Sequence, residues 1–478
     1  MHQLEAQEKM PVKTATDIKN ISRGHTRVQW VVALAASLTI LTYGILAGWM
    51  SPMTKVLQSD ESPTGQPLTD QEVSSVGSAM ALVAMVGVQL YAHLADTIGR
   101  KYSVVLIAVP QAICWLIKIY ATNTTALILA RVVAGIPAGG CFNLVPMYIK
   151  EISQDNIRGA VVSMVILMQN VGLFLIYMMG AYLDYYMVLW ICFGLSVAAI
   201  IALMFAPESP AYLVKKGKLE DAAKTVALLR GLHVDSNSVQ GELKIMREQE
   251  EQFKSLPALT YIGIFRNIVW RRSFIFITMV ALCQSFNGHF TIRTYAWSVL
   301  SALGATVNPD LQTLIVPTFE TIGAIVSVLC VETLGRKKLL SSTFLLTFVA
   351  MACLGTTMVL QNYSICPPAW LPMAAVALDS FAYAAGVTPV IYVVIAEIFN
   401  FQVRSKLIGW IVTSMWFVSS MQLSVFQPAT QLFGIHTLFY VFAGVNLIGA
   451  INTLVLLPET KGKSSEQIEE EIANKSIP

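Results

Sequence analysis

Apolar residues along this chain do not alternate with polar ones. They run together in blocks of about twenty, separated by short polar turns. A helix of that length crosses about 30 Å of hydrocarbon. Such blocks can be placed at 28–50, 73–94, 102–120, 125–149, 159–181 and 187–206, then at 273–297, 310–331, 339–360, 370–397, 405–428 and 435–457. The pattern predicts an all-α membrane protein with twelve transmembrane helices. One long polar stretch, about 207–272, divides them six and six. Within it, Leu219–Leu229 and Val239–Phe253 carry mixed-charge, helix-forming composition and predict short amphipathic helices against the membrane face. The expected organisation is a polar N-terminus (1–27), a six-helix bundle (28–206), a linker (207–272), a second bundle (273–457) and a tail (458–478).

Composition agrees with this pattern: 55% of the 478 residues are hydrophobic and 13% are charged, about half the charged share of a soluble domain. The first 27 residues are polar and include Lys9, Lys13, Lys19, Arg23 and Arg27, so no cleaved leader is expected. Of 32 Lys and Arg residues, 28 fall in segments on the same side as the N-terminus. The other four are Lys55, Lys118, Arg131 and Arg293, of which only Lys55 lies in a loop. By the positive-inside rule both termini are expected in the cytoplasm. The net charge of +3 therefore reports topology, and nothing points to nucleic acid. Six of seven cysteines lie in predicted spans and Cys366 in an outer loop, with no metal-ligand spacing. Asn123-Thr124-Thr125 and Asn362-Tyr363-Ser364 are sequons in short loops facing outward.

The two halves repeat each other. L-A-D-T-I-G-R-K (94–101) after span two is echoed by C-V-E-T-L-G-R-K (330–337) after span eight. Glu151 and Arg158 after span four are echoed by Glu397 and Arg404 after span ten, and Pro207-Glu208-Ser209 by Pro458-Glu459-Thr460. The offsets of 236, 246, 246 and 251 residues increase in order, as a duplication with small insertions requires. Each half thus sets an acid (Asp96, Glu332), a Gly-Arg turn (Arg100, Arg336), a second acid (Glu151, Glu397) and an arginine (Arg158, Arg404) at helix ends on one face. Charges so placed predict a lock that pairs while the halves touch on the cytoplasmic side and rearranges when that side opens.

These elements resemble the sugar porters of the major facilitator superfamily over about 28–470. The resemblance rests on A-D-T-I-G-R-K (95–101), Arg131 with Gly135 and Gly139, P-M-Y-I-K-E (146–151), P-E-S-P (207–210), E-T-L-G-R-K (332–337), A-E-I-F (396–399) and P-E-T-K-G-K (458–463). Asn170 and Ser51-Pro52 are similar to the insect trehalose-facilitator branch. Ala92, Thr97 and Ala211 depart from the usual loop pattern. The resemblance implies facilitative transport of a sugar, trehalose or a hexose, by alternating access, with no enzyme activity and no cofactor. It further implies a monomer in the plasma membrane, surrounded by lipid.

The resemblance also places the cargo site. It aligns Gln284, Trp416, Asn170 and Tyr392 with substrate-contact positions, puts Ser285, Phe290 and Glu320 where the family has amides, and assigns Tyr295 to the outer gate. Ionisable groups at membrane depth cost about 2.5–3.5 kcal/mol each on insertion scales, so Arg293, Glu320, Asp379 and His289 need partners. An Arg293–Glu320 ion pair between neighbouring helices is the plain account. The alternatives are recognition of a polar or anionic cargo, or a proton carried by Glu320 or Asp379. Proton-coupled members of the family have an Asp in span one. Here Tyr43–Gly48 holds no carboxylate, which favours uniport. Other open readings are a carrier of a non-sugar or glycosylated molecule, and a non-transporting sugar sensor on the same fold.

Overall fold

A computed structural model describes residues 24–255, 261–302, 312–365, 367–368, 370–399, 401–463 and 465–474. Among these residues the regular structure is helical, with no strand. Eleven helices are long and apolar enough to cross a membrane, and a shorter apolar stretch, Ile315–Val331, makes the twelfth.

Span one runs Arg27–Gly48 and continues as Met50–Leu57. Spans two to six are Asp70–Thr97, Arg100–Ile119, Thr124–Ile152, Asp155–Tyr182 and Tyr185–Met204. Span seven is broken into Ile268–Ser285 and His289–Ala302, and span eight is Ile315–Leu334. Span nine is Arg336–Asn362. Span ten is Trp370–Ala382, a π-helical turn Tyr383–Val387, and Thr388–Ile398. Spans eleven and twelve are Phe401–Phe433 and Ile435–Leu456. We call the end from which span one sets out the terminus face, and its opposite the far face.

The expected spans match in number and order, and their ends differ for identifiable reasons. Spans three and nine begin at Arg100 and Arg336, earlier than expected, because Gly99 (φ +103°) and Gly335 (φ +85°) turn the chain in a left-handed conformation that a side chain disfavours. Span one extends past 50 because Pro52 sits in the first turn of Met50–Leu57, where its missing N–H costs nothing. Span seven breaks at Gly288 (φ +94°). The expected start of span eight, 310, lies outside the described residues, as do Cys366 and residues 1–23.

Within the first half, helix backbones touch at glycines. A Cβ on Gly44 would meet the Gln169 carbonyl oxygen at 2.1 Å, and one on Gly172 would meet the Leu41 oxygen at 2.0 Å, so spans one and five cross backbone to backbone. Gly87, Gly135 and Gly139 join spans two and four in the same way. Where lipid is as apolar as a side chain, such close contact is what drives helices together. Asn123, the first sequon asparagine, caps span four by accepting from the Ala126 N–H at 2.8 Å.

The linker forms helices Pro210–Lys215, Leu219–Arg230, Asn237–Ser255 and Tyr261–Arg266. Leu213, Val226, Val239 and Leu243 make a small core among the first three. Arg230 ties it to the first half, donating to the Ile152 carbonyl at 2.8 Å while paired with Glu242. Helix Ser465–Asn474 buries Ile468 and Ile472 against the second half, and Trp270 Nε1 donates to Glu469 at 3.0 Å.

A valine at Gly172 must force spans one and five apart, an overpacking cost of at least ~1–3 kcal/mol. Gly172→Val is therefore expected to lower the melting temperature of the purified protein. Gly194→Val, where a new side chain meets nothing within 4 Å, should leave it unchanged. A thermal-shift comparison in detergent checks both.

Candidate functional site

On the terminus face, the four unpaired N–H groups that open a helix govern the arrangement. Span three begins at Arg100, and Glu208 accepts from the Arg100 and Lys101 N–H groups at 2.9 and 3.0 Å. Its negative charge also suits the positive end of the helix dipole. Arg100 Nε donates to Glu151 at 3.1 Å, Nη1 reaches the Ala95 carbonyl at 2.8 Å, and Ser209 donates a short hydrogen bond to the same Glu151. Asp96 lies 3.5 Å from Arg100 and 2.8 Å from Lys215.

The second half repeats the arrangement. Glu459 accepts from the Arg336 and Lys337 N–H groups at 2.9 and 3.2 Å, Arg336 pairs with Glu397 at 2.9 Å, and Thr460 donates to Glu397 at 2.5 Å. Gly99 and Gly335 are required for this approach. A Cβ on either would lie 2.3 Å from Glu208 or 2.6 Å from Glu459.

Arg158 donates to the Lys150 and Ser153 carbonyls at 3.3 and 3.1 Å, and Arg404 to the Phe399 carbonyl at 3.0 and 2.9 Å. Each guanidinium thus sits on the negative C-terminal end of the preceding helix. The side chain of Glu332 lies outside the described residues. The Arg100 and Arg336 networks join helices of one half, so in this conformation they brace each half internally. The capping role of Glu208 and Glu459 was not anticipated, although the repeated P-E-S and P-E-T motifs marked the residues.

The halves meet toward the far face. Tyr295, fully buried at a kink in span seven, stacks on Phe426 with centroids 5.3 Å apart and planes at 9°. Its hydroxyl reaches span two, 2.6 Å from where a Cβ on Gly77 would lie. Tyr177 donates to the Arg293 carbonyl at 2.6 Å, and the Trp297 N–H to Ser51 at 3.3 Å. Ser74 donates to the Leu423 carbonyl at 3.2 Å. Tyr295 is thus part of a seal that closes the far face.

Beneath the seal a small cavity lies between the halves, lined by Gly77, Ala81, Arg131, Phe290, Thr294 and Trp416. Phe290 and Trp416 meet edge to face, centroids 6.3 Å apart. The cavity of about 10 Å³ has room for one water, so it must widen for anything larger. Arg131 is buried and donates to the Val76 and Leu46 carbonyls at 3.2 and 2.8 Å.

Trp416 and Phe290 are the expected contact residues that the structure places on this cavity. Gln284 is set back, donating to Tyr383 at 3.1 Å and Thr388 at 3.5 Å, with Ser285 donating to its carbonyl oxygen at 3.4 Å. Asn170 faces the seam between spans five and eight, donating to the Glu320 carbonyl at 3.5 Å. Tyr392 packs against the core of the second half.

Glu320 is engaged elsewhere. Arg293 holds it through Nε at 3.1 Å and through a short Nη2 contact. His289 Nε2 lies 3.0 Å from the same carboxylate, and His289 Nδ1 lies 2.7 Å from Asp379. Tyr383, in the π-helical turn, stacks on the imidazole at 3.8 Å. His289, Glu320 and Asp379 are at most 1% exposed and Arg293 6%. The ion pair expected between spans seven and eight is present, extended by His289 to span ten.

Removing the Glu208 or Glu459 cap leaves two helix N–H groups without that acceptor. Glu208→Ala and Glu459→Ala are each expected to cost ~1–2 kcal/mol, and their effects to add because the two caps share no partner. Unfolding of the two single variants and the double variant checks this.

A family model described as "Sugar (and other) transporter" matches residues 28–472. The chain is 26% identical over 444 residues to a facilitated trehalose transporter Tret1-2 homolog of Drosophila simulans, covering 92% of this chain and 90% of that one. It is 25% identical to the facilitated trehalose transporter Tret1 of Bombyx mori, covering 94% and 87%. Its fold superposes on the inward-open xylose transporter XylE from E. coli with a TM-score of 0.75 at 21% identity, over 93% of this chain and 99% of that one. The chain belongs to the sugar (and other) transporter family and has the twelve-helix major facilitator fold.

Proposed function

We propose that this protein carries a sugar across a membrane by facilitated diffusion, with trehalose and hexoses as its cargo. Family membership and the names of its relatives support the sugar. The observation that carries the uniport reading is Arg131. This buried cation lies on the central cavity and is met by the carbonyls of Leu46 and Val76, while the facing stretch Tyr43–Gly48 has no carboxylate. No acid stands there to take up a proton with each cargo molecule.

In this reading the units 28–206 and 273–457 rock about the cavity. Phe290 and Trp416 offer aromatic faces to the C–H side of a sugar ring, and Arg131 and Thr294 offer donors to its hydroxyls. As the cavity widens, Gln284 turns from Tyr383 toward the cargo, with Asn170, Ser285 and Tyr392 behind it. Tyr295 is the outer gate. The Arg100–Glu151 and Arg336–Glu397 networks, with Asp96, Glu332, Arg158 and Arg404, rearrange when the halves meet on the other face. The excess of Lys and Arg on the terminus face supports a cytoplasmic position for both termini. The plasma membrane is the site of action, and one chain holding both halves and the cavity works as a monomer.

Uptake of radiolabelled trehalose and glucose in oocytes tests the proposal. Saturable entry without accumulation, unchanged by a protonophore at fixed external pH, is expected. No uptake of either sugar despite surface expression overturns the cargo. Trp416→Ala should lower uptake at low sugar concentration about tenfold, as expected for losing a stacking contact of about 1–1.5 kcal/mol.

A further inference from the structure

His289 stands between two carboxylates, with Nδ1 2.7 Å from Asp379 and Nε2 3.0 Å from Glu320. A neutral imidazole donates from one nitrogen and accepts at the other, and an ionised carboxylate only accepts. Two short contacts to two carboxylates therefore need two protons among the three side chains. Either His289 is an imidazolium, or it is neutral and one carboxyl is protonated. In both cases the group with Arg293 sums to zero charge: one arginine and one extra proton against two acids. Removing that proton would leave a net negative charge among side chains at most 6% exposed, a large cost at membrane depth. Asp379 Oδ1 has no hydrogen-bond partner among the described residues, so the imidazole on Oδ2 is that carboxylate's compensation.

Among the described residues, the other titratable groups around this cluster are tyrosines: Tyr43 of span one, Tyr177 of span five, and Tyr383 and Tyr392 of span ten. A tyrosine in water titrates near pH 10, so these do not supply the charge change near neutrality. Spans nine and twelve place Met351 and Phe442 beside Gly288.

The cluster is built into the gate. His289, Arg293 and Tyr295 share the half-helix His289–Ala302, set off from the rest of span seven at Gly288. The Arg293 carbonyl takes the Tyr177 bond that joins the halves, and Tyr295 closes the seal. Opening the outer side must move this half-helix away from the first half, and with it His289 relative to Glu320 and Asp379.

We propose that the outer gate carries a proton-binding site, His289 between Asp379 and Glu320, filled when the gate is shut and exchanging its proton with external water when the gate opens. This rests on the transport reading and on the orientation given above. The shut gate holds one proton more than the open gate, so external acid favours the shut gate and external alkali favours opening. The proton leaves and returns on the same side, so none crosses with the sugar.

The test is sugar entry into oocytes or proteoliposomes at external pH 5.5 to 8.5 with internal pH clamped. Entry is expected to rise with external pH, by up to about tenfold per unit, the limit for one linked proton, and to fall at the alkaline end, where reclosing the gate needs the same proton back. Varying internal pH at fixed external pH should change nothing. Asp379→Asn, which leaves Arg293 to balance Glu320 and a neutral imidazole that needs no second proton, should flatten the external profile. His436→Gln, at the far-face start of span twelve, should keep it. A flat wild-type profile, dependence on internal pH, or sugar-evoked proton entry overturns the proposal, and the wild-type measurements decide it even if a variant fails to fold. Absence of uptake at every pH counts against the transport reading itself, and the inference falls with it.

Discussion

The structure depends on how a guanidinium can be kept inside a hydrocarbon layer. An unpaired charge there is too costly to persist, and an open backbone N–H or carbonyl is nearly as unwelcome. Arg131 meets carbonyls from two neighbouring helices, Arg293 meets a carboxylate, and Arg100 and Arg336 each meet a carboxylate and a carbonyl at helix ends. Each solution fixes the relative position of the helices involved. Spans one, two and four are held around Arg131, and spans seven, eight and ten around Arg293 and His289. The cavity lies between these two centres, which gives it one wall from each half.

The terminus face shows the same constraint met twice. A glycine with positive φ turns the chain, an arginine starts the next helix, and a glutamate more than a hundred residues later caps it. A hydroxyl from the residue after that glutamate then holds the second acid. Duplication preserved both the residues and their geometry. Each half is therefore braced within itself at this face.

Much of this was legible in the sequence because it depends on local pattern. Twelve apolar blocks gave the spans, and the repeated motifs identified the halves and the residues of both networks. What escaped depends on which helix faces which. The capping by Glu208 required spans three and six to be neighbours, which no local pattern states. Gln284 was expected on the cavity, but the break at Gly288 separates the faces on either side of it, and Phe290 and Thr294 line the cavity while Gln284 bonds Tyr383. Glu320 was expected either at the cargo or in a pair. Its pairing with Arg293 was readable from adjacent spans, whereas the arrival of His289 and Asp379 was not, because no local pattern states which side chain of span ten faces span seven.

The two halves solve their buried charges by different chemistry. In the first half, Lys118 lies between the faces of Trp49 and Trp115, 3.5 and 4.2 Å from the ring centroids, and Arg131 lies against carbonyls. Neither arrangement includes a carboxylate: one cation rests on aromatic faces and the other on backbone carbonyls. In the second half the charges are balanced by two carboxylates and a histidine, groups whose protonation follows their exposure to water. The half-helix that follows the break at Gly288 carries His289, Arg293 and Tyr295 together. The first half thus lends the cavity a cation held by backbone carbonyls, whereas the second half sets its cation among carboxylates and a histidine beside a broken helix.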